Sequence, residues 1–98
     1  MAAYMIVFAE VHDRARFFSD YAGPTAALLS KMGGEYVVRA PGVSALEGPL
    51  FDGQSAVISR WPSKEAALAF WNSPEYEALK LARQTLATAH VMLVEDPS

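Results

Sequence analysis

The two halves of this sequence correspond when the chain is shifted against itself by fifty positions, and few other properties limit its possible folds so strongly. Each half has a strand end, a helix-capping residue, an aromatic residue and a proline at matching places. The six matches are Val11 with Trp61, Asp13 with Ser63, Tyr21 with Trp71, Gly23 with Ser73, Pro24 with Pro74, and Leu29 with Leu79. Six matches at one offset indicate two β-α-β units of related geometry, although sequence identity between the halves is low.

Four segments have the composition of β-strands, because they are rich in β-branched and aromatic residues and end at turn residues. They are residues 4–11, Glu35–Ala40, Ser55–Trp61 and a strand within Ala87–Glu95. Residues 43–48 are predicted as a further short strand or hairpin arm, and residues 48–54 as a loop with turn residues throughout.

A helix is predicted after the first strand and another after the third. Asp13 and Ser63 are suitable N-caps, and Gly33-Gly34 ends the first helix, since glycine adopts the left-handed conformation at low cost. The element order is therefore β-α-β-β-α-β. Short connections and right-handed crossovers favour an α+β ferredoxin-like sandwich, a four-stranded antiparallel sheet with two helices on one face, in a single domain over residues 1–98.

The second helical segment is too long to be one straight helix. Residues 63–86 number 24 and would extend about 36 Å as a helix, whereas a seven-residue strand spans only about 23 Å. Pro74 lacks an N–H and disfavours the helical conformation at Ser73. We therefore predict a break, with Ser73 as a new N-cap, Glu75 in the first turn, and the core-side residues Phe70, Tyr76 and Leu79.

Composition excludes several classes of protein. The 98 residues have a net charge of −3, which is not the signature of a nucleic-acid-binding protein. There is no cysteine, which excludes disulfides and fits a cytoplasmic location. The apolar N-terminal run meets Glu10 and is too short to span a bilayer, so no membrane association is predicted.

Both alternating faces of the first and last strands are apolar. Tyr4, Ile6 and Phe8 oppose Met5, Val7 and Ala9, and a solvated sheet face should instead carry polar residues. Helices can cover only one face of the predicted sheet. We therefore predict a homodimer in which two sheets pack face to face about a two-fold axis.

Motifs for metal and cofactor chemistry are absent from the sequence. No glycine-rich loop follows a strand, no G-x-S-x-G motif exists, and His12 and His90 lack metal-site spacing, so neither cofactor nor metal is predicted. His90 is the best candidate for a general base on residue type alone. The alternative for His90 is a partly exposed residue near a strand end.

A small organic ligand is the predicted partner, in a pocket between helices and sheet. The candidate ligand-binding residues are Tyr4, Arg39, Trp71 and Tyr76, together with His90. Arg39 would be a fixed cation for a ligand carboxylate or, alternatively, the partner of a nearby glutamate. The aromatic residues could equally belong to the core or to an interface.

Four segments carry a resemblance to a known family. The segments GGEYVVRA, LEG, WPSKEAALAFWNSPEYEALKLAR and VMLVE resemble the domain of unknown function 1330 family, which belongs to the dimeric α/β-barrel superfamily. The resemblance implies a ferredoxin-like protomer and a sheet-on-sheet dimer. This sequence departs from the family pattern at Ala40, Trp61 and Trp71, and its DGQS loop lacks the arginine often found there.

The superfamily contains cofactor-free monooxygenases, isomerases, dehalogenase-like proteins and haem-degrading enzymes. The haem-degrading relatives use a histidine in a helix segment that here, from Tyr76 to Arg83, contains none. Three hypotheses follow: a small-ligand-binding dimer, a cofactor-independent enzyme of the monooxygenase or isomerase type, or a dimeric interaction module without chemistry.

Overall fold

Four antiparallel strands form one sheet. The computed structural model describes residues 1–97. The strands are β1 (Ala3–Val11), β2 (Glu35–Ala40), β3 (Ser55–Trp61) and β4 (Ala87–Glu95), in the order β2-β3-β1-β4. β1 is central and pairs along its length with β4, and β3 joins β1 to the edge strand β2. The predicted ferredoxin-like α+β fold is confirmed, and three strands have the predicted bounds.

The helical segments lie between β1 and β2 and between β3 and β4. The first connection contains α1 (Arg14–Phe17), a π-helical segment (Phe18–Ala22) and α2 (Gly23–Lys31). The second contains α3 (Lys64–Trp71) and α4 (Pro74–Gln84). No helix within residues 1–97 is long and apolar enough to cross a membrane.

Alternate residues of the sheet face the helices and form the core. In β1, Ala3, Met5 and Ala9 are buried, and Met5 pairs with Ser59 of β3 and with Leu93 of β4 on the same face. The residues packed in the centre are Ala3, Met5, Leu29, Trp61, Ala67, Phe70 and Tyr76. This face of the sheet is therefore the one that the helices cover.

Trp61 is the largest fully buried side chain, and its ring packs against the backbone just before β2. Its indole N–H donates to the Ser59 hydroxyl at 3.0 Å, which satisfies its only polar atom. A Cβ added at Gly34 would lie 2.7 Å from the Trp61 ring. Gly34 is therefore required by the close approach of this ring to the backbone.

The predicted helix caps are confirmed. The Asp13 carboxylate accepts from the backbone N–H of Arg16 at 3.1 Å, and the Ser63 hydroxyl accepts from that of Ala66 at 3.1 Å. Gly33, which follows α2, has a φ of 99°, a conformation that favours glycine.

The two prolines related by the offset of fifty affect their helices differently. Ser73 has an extended backbone and its hydroxyl caps α4, so the chain breaks between α3 and α4 as predicted. Gly23 has no side chain to cap with and keeps helical angles. Its N–H instead donates to the Phe18 carbonyl, so the missing N–H of Pro24 is accommodated by a π turn and the helix continues.

The prediction of a strand or hairpin arm at residues 43–48 is wrong. The described connection between β2 and β3 has no strand, although Val43 exchanges two backbone hydrogen bonds of 2.8 Å with Gly53 and Gln54. These two bonds close the loop without extending into a ladder. Beyond them the loop turns at Gly48 and Phe51, both of which have positive φ.

Candidate functional site

A cavity of about 330 Å³ lies between the helices and the sheet. Its floor is formed by β1 and β3, and its walls by residues from α1, the π-helical segment, α2, α3, α4 and β2. Most of the lining is apolar or aromatic, including Met5, Val7, Val57, Phe17, Tyr21, Tyr36, Phe70 and Tyr76. This volume is at the lower end of the range of ligand pockets and about twice that of an apolar cavity of ~150 Å³ that binds benzene.

All charged groups that line this cavity are arginines. They are Arg14, Arg39 and Arg83, and the part of the lining formed by residues 1–97 includes no aspartate, glutamate, lysine or histidine. Arg14 and Arg39 are exposed, so they lie on the side that faces solvent. Arg83 is only 8% exposed, so it lies inside. The charge of the cavity walls is therefore entirely positive.

Within the described residues 1–97, Arg83 contacts two tyrosines and pairs with no carboxylate. One of its terminal N–H groups (Nη1) donates to the Tyr76 hydroxyl at 3.1 Å, and its guanidinium lies 5.8 Å from the centre of the Tyr21 ring. The salt bridges among residues 1–97 involve other cations: His12, Arg16, Arg60 and Lys80. A buried charge without a counter-ion is costly, so this arrangement is unusual for a purely structural residue.

The tyrosine beside Arg83 remains neutral. Burial, reinforced by Tyr21, raises the pKa of Tyr76 well above its ordinary value, and the opposing effect of Arg83 is smaller. Burial also raises the pKa of Tyr36, on the sheet side of the cavity, to about 12. Neither phenol is therefore an anion at neutral pH, and the cluster around Arg83 keeps its positive charge.

Hydrogen-bond donors of this cluster exceed its acceptors. The hydroxyls of Tyr21 and Tyr76 are 2.7 Å apart and share one hydrogen bond, so one of their two O–H groups has no further partner among the hydrogen bonds within residues 1–97. Arg83 has N–H groups besides the one that Tyr76 accepts. The Thr25 hydroxyl, which is 4% exposed, also lines the cavity without a protein partner in the described chain.

The structure brings two of the five sequence-predicted site residues to the cavity, Arg39 and Tyr76. Arg39 projects on the helix-facing side of β2, with its guanidinium 4.8 Å from the centre of the Tyr36 ring. Tyr76 is 2% exposed and forms the centre of the tyrosine–arginine cluster. Both residues therefore lie in the region between helices and sheet where a pocket was predicted.

The other three candidates lie elsewhere. The Trp71 ring contacts that of Tyr76, with 5.3 Å between ring centres, and the Lys80 ammonium lies 4.5 Å from the centre of the Trp71 ring. Trp71 itself is not part of the cavity lining. Tyr4 and His90 are on the opposite face of the sheet, as their pairing with Arg60 and Phe8 shows. His90 is exposed, and its ring lies 5.3 Å from that of Phe51.

Arg83, Tyr21 and Thr25 were missed as site residues by the sequence reasoning. A signal for Arg83 was present, because Arg83 follows Tyr76 by seven residues and thus lies on the same buried face of α4. An arginine at a core position of an amphipathic helix requires a partner. Thr25 and Tyr21 gave no comparable signal, since only the tertiary structure brings them to the cavity that Arg83 also lines.

A second depression, of about 510 Å³, lies beside Gly34 and Trp61. Its charged residues, Glu35 and Arg60, are 3.9 Å apart and pair with each other. No group of three histidine, cysteine, aspartate or glutamate side chains within residues 1–97 is arranged to hold a metal ion. The helix–sheet cavity, with its unpaired buried cation, is the better candidate site.

Comparison with known proteins identifies the family. The family model described as Domain of unknown function (DUF1330) matches residues 2–97. The chain belongs to this family. No curated protein matches the chain significantly.

Solved structures of low sequence identity share the fold. A protein of unknown function from Rhodopseudomonas palustris, RPA0582, is 16% identical with a TM-score of 0.78 and covers 99% of this chain and 83% of its own. SnoaB, a cofactor-independent oxygenase from Streptomyces nogalater, is 19% identical with a TM-score of 0.71, over 99% and 94%. A protein of unknown function from Bacteroides thetaiotaomicron is 18% identical with a TM-score of 0.64, over 97% of each. The DUF1330 chain thus shares the ferredoxin-like fold of these solved structures.

Proposed function

We propose that this DUF1330 protein binds a small organic molecule in the cavity between its helices and its sheet. The observation that carries the proposal is the combination of an apolar cavity of about 330 Å³ with two buried polar features. Arg83 has no carboxylate partner within residues 1–97, and the Thr25 hydroxyl has no hydrogen-bond partner there. Native proteins rarely leave buried polar groups unsatisfied. A ligand with an apolar body and a few polar atoms would satisfy both parts of this site.

Binding can be tested with three bicyclic probes that share one ring system: 1-naphthoate, 1-naphthamide and 1-naphthylmethylamine. We expect at least one to bind with a dissociation constant of about 1 mM or lower, measured by isothermal titration calorimetry. Val57→Phe should weaken this binding at least about tenfold, since Val57 lies in the cavity floor and the larger ring would fill part of the cavity.

The matched control is Leu81→Phe, on the exposed side of α4, where the same ring enters solvent and binding should not change. Thermal unfolding of both variants establishes that they are folded. Binding that Val57→Phe leaves intact would place the probes outside the cavity and contradict the proposal.

A cofactor-independent enzyme of the oxygenase or isomerase type is the second candidate. It is supported by the fold similarity to SnoaB and by the positive cavity, which would stabilise a substrate in its deprotonated form. Oxygen consumption on addition of a phenolic or enolisable substrate would test the oxygenase form. His90 lies on the other face of the sheet, so we expect His90→Ala to leave turnover unchanged; a large loss would restore His90 as the base.

The protein is proposed to act as a homodimer in the cytoplasm. The sheet face opposite the helices carries Ile6, Phe8 and Ile58, and the exposed side chains of Val38, Met92 and Val94 extend it. A monomer would leave this apolar face in water, and a second copy packed sheet on sheet would cover it.

A dimer that bound none of the probes and consumed no oxygen would favour the third hypothesis, an interaction module without chemistry.

A further inference from the structure

We infer that the ligand of the helix–sheet cavity is an organic anion, with a flat apolar body in the cavity and an ionised carboxylate against Arg83. This inference rests on the proposed function, because it assumes that the cavity binds a small molecule. It goes further by assigning the charge of the ligand and the residues that recognise it.

The charge balance of the cavity favours an anionic ligand. Arg14, Arg39 and Arg83 line it, no acidic residue does, and no salt bridge within residues 1–97 involves any of the three. Arg83 is the decisive residue, since it is only 8% exposed and is therefore much less hydrated than an exposed arginine. A cationic ligand would be repelled here, and a neutral one would leave the buried charge uncompensated.

The polar groups around Arg83 that have no acceptor are hydrogen-bond donors. The pair formed by Tyr21 and Tyr76 retains one unused O–H, and Arg83 retains N–H groups beyond the one that Tyr76 accepts. Both groups donate. A carboxylate can accept from several donors at once, and hydrogen bonds to a charged acceptor are the stronger ones.

The walls of the cavity suit a flat apolar body. Tyr21, Tyr76, Phe17 and Phe70 present aromatic surfaces to the cavity, and Val7 and Val57 form the apolar floor. Flat rings pack well against such walls, in stacked or edge-on geometries. The Thr25 hydroxyl offers a second polar contact away from the sheet, which a ring substituent such as a hydroxyl group would fill.

The test compares the three probes, which have the same rings and differ in charge. We expect 1-naphthoate to bind about ten- to hundredfold more tightly than 1-naphthamide at pH 7.5, and 1-naphthylmethylamine to bind least. Arg83→Met should reduce the preference for naphthoate over naphthamide to about twofold or less. Arg60→Met, an exposed arginine on the other sheet face that pairs with Glu35, should leave the preference unchanged.

The ratio of the two affinities is informative because a general loss of structure would lower both affinities and not their ratio. If Arg83→Met does not fold by circular dichroism, Arg83→Lys and Tyr21→Phe replace it. Each keeps part of the site, and each should lower the ratio at least about threefold.

The outcomes separate this inference from the proposed function. If naphthamide or naphthylmethylamine binds as tightly as naphthoate, the cavity is a ligand site but the assignment of an anion is wrong. If none of the three binds, both proposals fail. A preference for naphthoate that is unchanged in a folded Arg83 variant would also overturn the role assigned to Arg83.

Discussion

Arg83 is the residue at which this protein departs most from ordinary core chemistry. A buried arginine is normally paired with a carboxylate, whereas this one donates to a neutral tyrosine and lies over the ring of another. The cost of burying the charge is offset only partly by these contacts. A site that stabilises a charge poorly in the absence of ligand is suited to recognising the opposite charge when a ligand arrives.

The tyrosines of the cavity make stability sensitive to alkaline pH. Burial raises the pKa of Tyr36 from the ordinary value of about 10 to about 12, so the native state holds its phenolic proton more tightly than the unfolded chain does. The stabilisation from this group is complete below pH 10 and is lost as the pH rises from about 10 to about 12.

Tyr36→Phe should therefore show a shallower loss of stability over this pH range than the unmodified protein. Urea unfolding at intervals between pH 8 and pH 11.5 measures the difference, because the other titrating groups are common to both proteins. Parallel curves for the two proteins would show that Tyr36 ionises equally easily in the folded and unfolded states.

Ser73 and Ser63 are both N-caps, but they differ in burial and in the number of hydrogen bonds. The buried Ser73 hydroxyl accepts from the N–H of Tyr76 at 3.2 Å and donates to the carbonyl of Phe70 at 2.8 Å. The half-buried Ser63 hydroxyl makes one such bond. We expect Ser73→Ala to cost about 2 kcal/mol of unfolding free energy and Ser63→Ala about 1 kcal/mol, both measured by urea unfolding. Equal losses would mean that the bond to Phe70 contributes little.

At the scale of elements, the two β-α-β halves accommodate their matching prolines in two different ways. The second half breaks at Ser73 because a serine can cap a new helix, whereas the first half passes through Gly23 with a π turn. The two related aromatics, Tyr21 and Trp71, both end beside Tyr76, with ring centres 6.3 and 5.3 Å from its own. The repeat therefore places one aromatic from each half around the same central residue, although only Tyr21 lines the cavity.

Two glycines of the first helical segment should respond to alanine with opposite signs. Gly23 has a φ of −63°, and the nearest atom to an added Cβ is 3.4 Å away, so Gly23→Ala should stabilise the protein by about 0.5–1 kcal/mol. Gly33 has a φ of 99°, so Gly33→Ala should destabilise it by about 1 kcal/mol. Thermal unfolding compares the two. A destabilised Gly23→Ala would indicate that the π turn needs a residue without a side chain.

At the scale of the whole molecule, the two faces of the sheet have different surroundings. One face and the helices enclose the cavity, and the other presents apolar side chains to its surroundings. The connection between β2 and β3 adds to the second face, since Phe51 stacks on Phe8 at 4.3 Å, and Leu46 on the same connection is 98% exposed. This distribution suits a protein that associates through its outer sheet face and binds a ligand between the other face and the helices.

Charge on the outer sheet face should dissociate the proposed dimer. Met92 is 39% exposed in β4, and Met92→Lys would place two like charges in a sheet-on-sheet interface. Light scattering at micromolar concentration should give the mass of a dimer for the unmodified protein and of a monomer for this variant. Leu81→Lys, an exposed leucine on α4, should remain dimeric. A stable monomer before any substitution would refute the association itself.

The fold was largely determined by sequence features that act locally. Strand composition, the caps at Asp13, Ser63 and Ser73, and the mismatch between helix and strand length each depend on residues close together in the chain. The π turn was not predicted, because a missing N–H at Pro24 can be accommodated by a break or by a bulge, and the choice depends on packing. The strand expected at residues 43–48 is absent, because two backbone hydrogen bonds close that loop without continuing into a ladder.

The candidate site was decided by tertiary structure. Periodicity alone allowed Tyr76 to be placed on the buried side of its helix, but not the meeting of Tyr21, Tyr76 and Arg83, whose contacts join residues up to 55 positions apart. Strand alternation separates Tyr4 and His90 from the cavity only once the face covered by the helices is known. The sequence therefore determined the elements and their order, since these follow from local preferences. Which side chains share a cavity depended on how those elements pack.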